Sequence, residues 1–274
     1  MHKSILITGS SSGIGEKAVE SLAQKGWQVY ATARKDEDIA KLNTLDNVHA
    51  LYMDYQDETS IAATATTVLN ETEGQLYALF NNGGYGQPGA VEDLPTDALR
   101  AQFETNFFGW HDLTRRLIPT MRANNSGRII QCSSIFGFVS AHYRGAYTAS
   151  KHALEALSDA MRQELRDTNI HISLIEPGPI RTKFVDRALQ AYHDNIDMEN
   201  SPHKVVYRAR LKAMHGGGDQ AFKLEPDAVV AKLEHALTAK TPKTRYYVTF
   251  PTYAMAYAKR FLPTKLIDNI MVGN

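Results

Sequence analysis

The sequence predicts an α/β fold in which a doubly wound parallel sheet forms a single domain. Short apolar runs recur through the first two thirds of the chain, as expected for strands that are buried on both faces. Between them lie longer stretches with apolar residues at helical spacing, long enough for crossover helices. Ligands bind beyond the carboxyl ends of the strands in such folds, so candidate site residues should lie at those ends.

The predicted strands alternate with helices along the chain. They span residues 5–7, 29–33, 48–53, 76–80, 128–132 and 170–175. Ile14, Ala18 and Leu22 share one face of the first helix, which Gly26 closes. A last helix over 226–239 and a seventh strand over 246–250 follow. The pattern predicts one Rossmann-like domain over residues 1–274.

Residues 184–225 interrupt this alternation. The segment is rich in charge and contains three consecutive glycines at 216–218. An insertion of this length within a compact domain is either a cover over a site or a poorly ordered excursion. We predict a substrate-covering insertion, because the segment follows the strand end that should border the ligand.

Composition excludes several classes of partner. The chain has 274 residues, with 30 basic and 30 acidic side chains, so no net charge would attract nucleic acid. The single cysteine, Cys132, lies in an apolar run, which favours a buried thiol over a nucleophile or a metal ligand. No metal site is predicted. Neither a signal peptide nor an apolar run of membrane-spanning length is evident, which predicts a cytoplasmic protein.

Residues 8–15, Thr-Gly-Ser-Ser-Ser-Gly-Ile-Gly, join the first predicted strand to the first helix. Glycines let backbone approach a ligand closely, and a helix N-terminus offers free N–H groups and partial positive charge to a pyrophosphate. The strand before and the amphipathic helix after supply the expected context. We predict nucleotide binding rather than a plain tight turn. The cofactor-binding residues predicted here are Gly9, Ser11, Ser12, Gly13 and Ile14.

The end of the second strand distinguishes between the two nicotinamide dinucleotides. A carboxylate there binds the ribose 2′-hydroxyl of NAD, whereas an arginine accommodates the 2′-phosphate of NADP. Here the strand ends in Arg34 and Lys35, which predicts NADP(H) as the cofactor. Acidic residues 36–38 follow at once. A helix cap is their expected role, and an NAD-type carboxylate is the alternative.

Tyr147 and Lys151 are four residues apart on a predicted helix and therefore share a face. An ammonium close to a phenol lowers the phenol pKa, which would make the hydroxyl a proton donor and acceptor near neutrality. A surface pair without chemistry is the alternative. The pair predicts a tyrosine that acts in proton transfer.

Taken together in chain order, these features resemble the classical short-chain dehydrogenase/reductase family over residues 3–182. Residues 81–84 are similar to its Asn-Asn-Ala-Gly element, with Gly83 in place of alanine. The resemblance implies that the catalytic residues are Asn106, Ser134, Tyr147 and Lys151. It implies that the tyrosine gives the proton and the serine holds the carbonyl oxygen. The lysine would bind the nicotinamide ribose, and the asparagine would hold a water that links the lysine to solvent.

The resemblance also extends the predicted cofactor site. It adds Asp54, Asn81, Gly83, Tyr147, Lys151, Pro177, Gly178, Ile180 and Thr182. Asp54 matches the aspartate near the adenine, with helix capping as an equal alternative, and Thr182 matches the residue at the carboxamide, with an ordinary N-cap as the alternative. Segments 31–34, 106–109 and 176–182 resemble the branch of 17β-hydroxysteroid and retinol dehydrogenases and of bacterial NADP-dependent aldehyde reductases.

Aromatic and apolar residues predict a hydrophobic pocket beside the catalytic pair. The predicted substrate residues are Ser134, Phe136, Tyr143 and Tyr147, with Phe138, Val139 and Tyr85 nearby. Packing in the core is an equal alternative for any one of the aromatic residues. His142 is expected to be exposed rather than catalytic.

These observations predict an NADP(H)-dependent enzyme that reduces a hydrophobic aldehyde or ketone to the alcohol. The alternatives are a catalytically silent NADP-sensing protein and a nucleotide-sugar epimerase or dehydratase. The complete catalytic set argues against the first alternative. The second needs a separate sugar-binding domain, for which this chain has little room.

Two surfaces complete the predictions. Ala149, Ala153, Ala156 and Ala160 would let another helix approach the helix of Lys151, and the resemblance implies a homodimer or homotetramer through that face. Residues 254–271 place apolar side chains among basic ones. Packing on the protein itself or on a partner is favoured there over contact with a membrane surface.

Overall fold

The computed structural model describes residues 3–215 and 222–272. Within them, seven strands form one parallel sheet in the order β3-β2-β1-β4-β5-β6-β7. The strands are β1 (Ser4–Ile7), β2 (Gln28–Ala33), β3 (Val48–Tyr52), β4 (Ala78–Asn81), β5 (Gly127–Cys132), β6 (Ile170–Glu176) and β7 (Arg245–Tyr247). The predicted doubly wound, Rossmann-like single domain is confirmed.

Helices lie between the strands and on both faces of the sheet. They are α1 (Gly13–Gln24), α2 (Asp36–Leu42), α3 (Glu58–Glu71), α4 (Thr96–Phe103), α5 (Gly109–Ala123), α6 (Gly145–Glu164), α7 (Phe184–Asn195), α8 (Lys204–His215), α9 (Asp227–Thr238), α10 (Phe250–Phe261) and α11 (Thr264–Val272). A π-helical turn over Glu104–Phe108 joins α4 to α5. None of the described helices is long and apolar enough to cross a bilayer.

The predicted strands have the correct positions but differ at their ends. The predicted helix over 226–239 is α9, flanked by Pro226 and Ala239. The prediction of a strand up to residue 250 is wrong, because β7 ends at Tyr247 and Phe250 begins α10. Pro251 lies in the first turn of that helix, where a missing N–H costs no hydrogen bond. The same proline could not donate to a sheet ladder.

The centre of the sheet places the ligand crevice. β1 lies between β2 and β4, so the chain winds in opposite directions from this point and leaves a crevice at the carboxyl ends. Ile5, Leu6 and Ile7 of β1 are wholly buried. Cys132 at the end of β5 is a buried free thiol, so the prediction of a buried thiol is confirmed, and burial raises its pKa to about 11.

The inserted segment forms helices α7 and α8 and is not an unstructured excursion over its described part. Tyr192 and Tyr207 pack with Ala90, which follows β4. Ile180 and Leu224 form a parallel bridge that closes the segment at its base. The three consecutive glycines at 216–218 in this segment lie outside the described residues.

Candidate active site

The turn between β1 and α1 is shaped to approach a ligand. Gly9 and Gly13 have φ values of 65° and 60°, in the left-handed region that favours glycine. A Cβ on Gly9 would also overlap the backbone of Gly83. Ser12 precedes α1, and no side chain caps this helix N-terminus. Its N–H groups therefore remain available for a pyrophosphate, next to the predicted Ser11 and Ile14.

Arg34 lies beside this turn. The Ser10 amide donates to the carbonyl oxygen of Thr32 at 2.9 Å, which holds the turn against the end of β2. Arg34 is 54 % exposed, and its Nη1 lies 3.4 Å from Oδ2 of Asp54. Such a long, exposed ion pair is weak, so the guanidinium can turn to a phosphate. The residues present therefore fit a dinucleotide with a 2′-phosphate.

The charged side chains next to Arg34 have other partners than the sequence predicts. Lys35 pairs with Glu37 at 3.0 Å on the surface. Residues 36–38 form the first turn of α2, where carboxylates are favoured, but the N-cap is Lys35. Asp54 does not cap α3, because Asp57 accepts from the Thr59 amide at 3.0 Å and takes that role. Of the two alternatives for Asp54, helix capping is wrong.

Asn81 is a correction to the predicted cofactor site. Its Nδ2 donates to Thr114 and to Gln131, both at 2.9 Å, and its Oδ1 accepts from the Tyr55 hydroxyl at 2.8 Å. The side chain is wholly buried, so it holds the core together and does not face a ligand. Only contacts with neighbouring strands reveal this orientation.

The loop after β4 is held against the glycine turn through Thr8. Its hydroxyl accepts from the Asn82 amide at 2.9 Å and from the Gly83 amide at 3.2 Å. A Cβ on Gly83 would lie 3.2 Å from Gly9 Cα, tighter than ordinary van der Waals contact. The glycine that departs from the family's alanine therefore suits this close approach. Thr8 is a residue that the sequence analysis missed.

Ser134 and Tyr147 meet at the carboxyl end of β5. Ser134 Oγ accepts from the Phe136 amide at 3.2 Å, as a serine at a turn N-cap does, and it also hydrogen-bonds to Tyr147. Burial raises the pKa of Tyr147 above its ordinary value, and the bond to Ser134 offsets only part of this. The expectation that Lys151 lowers this pKa is wrong for the structure as it stands. The phenol is therefore protonated at neutral pH and can give a proton.

The position of Lys151 explains why it does not lower the pKa of Tyr147. Its Nζ donates to the Cys132 carbonyl oxygen at 2.8 Å and lies 4.1 Å from the ring centroid of Trp110. The same atom lies 5.9 Å from the centroid of the Tyr147 ring, so the two side chains share a face as predicted without a direct bond between them. Burial lowers the pKa of Lys151 to about 8. Its charge thus changes near physiological pH.

Asn106 lies in the π-helical turn Glu104–Phe108, a geometry that occurs often at functional sites. Its Nδ2 donates to the Tyr85 carbonyl oxygen at 2.8 Å, and its Oδ1 accepts from the Tyr85 amide at 3.2 Å. Nδ2 is also 3.5 Å from Ser150 Oγ, one residue before Lys151. The side chain therefore holds the backbone of the loop after β4, and its role in holding a water stays a prediction.

The turn after β6 connects the two halves of the site. The Pro177 carbonyl oxygen accepts from the Ile135 amide at 2.8 Å, next to Ser134. A Cβ on Gly178 would overlap Thr249. The Thr182 methyl faces Gly13, and its Oγ1 accepts from the Phe184 amide at 3.3 Å. Thr182 thus lies at the glycine turn and also bonds to the first residue of α7. The N-cap of α7 is Lys183, so the alternative of an ordinary N-cap at Thr182 is wrong, and its contact with the carboxamide stays a prediction.

Comparison with known proteins identifies the family. A family model described as short chain dehydrogenase matches residues 3–193. The chain belongs to the short chain dehydrogenase family. It is 42% identical over 273 residues to the uncharacterized oxidoreductase YbbO of Escherichia coli K12, covering 100% of this chain and 95% of the relative.

Two further relatives carry more specific names. This short chain dehydrogenase is 32% identical over 275 residues to the NADPH-dependent 3-dehydrocapnine reductase of Ornithobacterium rhinotracheale, covering 97% of this chain and 94% of the relative. It is 30% identical over 279 residues to human 17-beta-hydroxysteroid dehydrogenase type 1, with 94% and 78% covered. The resemblance found in the sequence is confirmed, and the chain is an oxidoreductase.

Aromatic rings flank Tyr147 in this short chain dehydrogenase. The rings of Phe136 and Phe184 lie edge-on at centroid distances of 6.2 and 5.4 Å. The sequence analysis missed Phe184 as a site residue, because only the fold brings the first residue of α7 onto the phenol. Phe138 and Val139 pack with Met255 and Ile267, which is the core alternative, and Phe136 also packs against this cluster. His142 is exposed, as predicted.

A second group of residues that the sequence analysis missed supports the catalytic end of this short chain dehydrogenase. Arg245 of β7 contacts Glu155, Glu176 and Asp159 at 2.5, 2.6 and 2.6 Å. Glu155 also accepts from Ser133 Oγ at 2.6 Å, next to Ser134. Burial raises the pKa of Glu176 well above its ordinary range, with Glu155 as a further cause. We call the group of Arg245, Glu155, Asp159 and Glu176 the Arg245 cluster.

Proposed function

We propose that this chain is an NADP(H)-dependent reductase that converts a hydrophobic aldehyde or ketone to the alcohol in the cytoplasm. The observation that carries the proposal is the hydrogen bond between Ser134 and a buried, protonated Tyr147 at the crevice. An acid and a second hydrogen-bonding group there can serve one carbonyl oxygen. The glycine turn lies at the same edge of the sheet.

The mechanism assigns one task to each side chain. Bound NADPH would supply the hydride to the carbonyl carbon. Ser134 holds the carbonyl oxygen, and Tyr147 transfers its phenolic proton to that oxygen as negative charge develops. Lys151 provides positive charge behind the phenol, which stabilises the phenolate that remains until solvent returns the proton. Asn106 positions the Tyr85 loop beside them.

The preference for NADP rests on Arg34, and the printed name of the Ornithobacterium rhinotracheale relative includes NADPH dependence. We expect Arg34→Ala to lower the ratio of kcat/KM with NADPH to kcat/KM with NADH by about 10- to 100-fold, because a charge-assisted bond to the phosphate is lost. Steady-state kinetics with both cofactors measure this ratio.

Arg166→Ala is the matched control for Arg34. Arg166 is an exposed arginine that pairs with Asp167 at 3.7 Å, far along the chain from the glycine turn. We expect this variant to retain the native cofactor ratio. A ratio that Arg34→Ala leaves unchanged would contradict the assignment of Arg34, and a native preference for NADH would contradict NADP dependence itself.

The substrate class rests on the rings of Phe136 and Phe184 beside the phenol, which favour an apolar group next to the carbonyl. Phe184 also links the inserted segment to this place, and we propose that α7 and α8 cover the substrate. The test is NADPH oxidation against retinal, steroid ketones, and long- and short-chain aldehydes. Binding of NADPH without any turnover would favour the NADP-sensing alternative.

We further propose that the chain forms a homodimer or homotetramer through α6. Ala149, Ala156 and Ala160 are exposed on this helix, and such small side chains allow a second helix to approach closely. Sedimentation equilibrium of the full chain tests the assembly. A monomer at micromolar concentration would contradict it.

A further inference from the structure

A small cavity lies between α6, the inserted helices and the loop after β4. Its volume is about 30 Å³, more than one water molecule requires and enough for a small polar group. Arg144, Arg210 and three tyrosines line it, namely Tyr143, Tyr192 and Tyr207. We call it the arginine cavity. It contains more cationic and hydroxyl groups than an apolar substrate would require.

Arg144 contributes an uncompensated charge to this cavity. Among the described residues, no carboxylate pairs with Arg144 and none acts on its pKa; besides burial, the groups that act on it are the Tyr147 phenol and Arg210. Burial lowers that pKa, although a guanidinium remains protonated at physiological pH. A partly buried cation without a carboxylate partner is stabilised by an anion that joins it. Arg144 therefore has no anionic partner among the described residues.

Tyr192 supplies a second free donor. Its side chain is buried, and its hydroxyl has no hydrogen-bond partner among the described residues. The other two tyrosine hydroxyls of the cavity are engaged. Tyr143 bonds to His203 at 2.9 Å, and Tyr207 donates to Asp93 at 2.6 Å. A buried hydroxyl without a partner loses its hydrogen bonds to water, so the Tyr192 hydroxyl also calls for an acceptor.

Arg210 adds a second positive charge from α8. Its guanidinium stacks on the ring of Tyr143 at 4.5 Å and contacts His142. No carboxylate is among the causes that act on its pKa, and burial lowers this pKa as it does for Arg144. Two cations and a hydroxyl donor thus surround the same small space, and like charges at such close range favour an anion between them.

The arginine cavity is close to the reaction centre. Arg144 precedes α6, and Tyr147 lies three residues later in its first turn. The charge of Arg144 acts on the pKa of Tyr147, which reflects their proximity. A group bound by Arg144 would therefore be separated by a few carbon atoms from a carbonyl bound by Tyr147.

We propose that the arginine cavity binds a carboxylate of the substrate, so that the substrate is an oxo acid whose carbonyl lies a few carbons from its carboxylate. Arg144 forms the ion pair, Tyr192 donates to a carboxylate oxygen, and Arg210 adds charge. The cavity volume favours this compact planar group over larger oxyanions. This inference rests on the proposed function and narrows its substrate class. The group next to the carbonyl remains apolar, as the rings of Phe136 and Phe184 favour, and the carboxylate lies at the far end of the substrate.

The first test compares two probes that share one carbonyl chemistry, namely succinate semialdehyde and its methyl ester. We expect the native enzyme with NADPH to have at least about tenfold higher kcat/KM for the acid. Arg144→Gln should bring this ratio close to one, mainly through KM, and Tyr192→Phe should lower it about threefold. Arg166→Gln, at an exposed arginine remote in sequence, is the matched control and should retain the native ratio.

The ratio separates recognition from structural damage, because a variant that merely disturbs the fold would slow both probes equally. Equal slowing by Arg144→Gln, or a native enzyme that does not prefer the acid, would overturn the proposal. If Arg144→Gln fails to fold, Tyr192→Phe provides the same comparison, and an unchanged ratio in that variant would overturn the proposal.

A binding measurement distinguishes this inference from the proposed function. Butanoate and butanol are compared by the increase that each causes in the thermal unfolding midpoint of the native protein and of Arg144→Gln. An increase with butanoate alone, absent in the variant, would support the carboxylate site even if no aldehyde were turned over. Turnover of neutral aldehydes without any effect of butanoate would overturn the site and leave the proposed reductase intact.

Discussion

Tyr147→Phe is expected to bind NADPH with native affinity and to lose turnover by about a thousandfold or more. The substitution removes the hydroxyl that bonds to Ser134 and can give its proton to the carbonyl oxygen. The ring remains between Phe136 and Phe184, so packing is largely conserved. Steady-state NADPH oxidation measures turnover, and fluorescence titration with NADPH measures binding.

Tyr257→Phe is the control for this prediction. Tyr257 is 61 % exposed on α10, so removal of its hydroxyl should affect neither turnover nor binding. Turnover within tenfold of native in Tyr147→Phe would show that another group donates the proton. Loss of NADPH binding in the same variant would instead point to a structural effect of the hydroxyl.

Arg245→Met is expected to lower the free energy of unfolding by about 3–5 kcal/mol, the range observed when one member of a buried ion pair is removed. The substitution leaves Glu155 and Glu176 buried without their cation, and methionine cannot bond to either. Urea denaturation of both proteins measures the loss. Arg162→Met removes a more exposed arginine that also pairs with Asp159, and it should cost less than about 1 kcal/mol.

The same variant should acquire a distinctive pH dependence. The pKa of Glu176 is already raised in the folded protein, so its contribution to stability is present at low pH and lost as pH rises through the folded pKa. Without Arg245 the folded pKa rises further, so protonation can neutralise the buried carboxylates. The loss of stability should therefore be smaller at about pH 5 than at about pH 8.5. An equal loss at both values would contradict this account.

Sequence reasoning succeeds where a local pattern decides the outcome. The apolar runs predict the strands, and the strand, glycines and helix in succession predict the turn of Gly9 and Gly13, because these features need only neighbouring residues. The spacing of Tyr147 and Lys151 likewise predicts that their side chains share a face, which the structure confirms.

Properties that depend on distant residues could not be predicted in this way. The pKa of Tyr147 follows from burial, which only the packed structure determines. Asn81 points into the core because Thr114 and Gln131 approach it from other elements. Arg245 meets Glu155 across 90 residues of chain, and no local pattern links them. Such pairings need the strand order, which places β7 beside β6.

The turn after β6 links the nucleotide half of the site to its carbonyl half. One short stretch of chain contacts the glycine turn through Thr182 and the residue after Ser134 through Pro177, and it leads into the inserted helices at Phe184. Occupancy of the dinucleotide half would therefore be transmitted mechanically to the walls of the carbonyl half. We expect the cofactor and the carbonyl compound to bind cooperatively, so that each lowers the dissociation constant of the other.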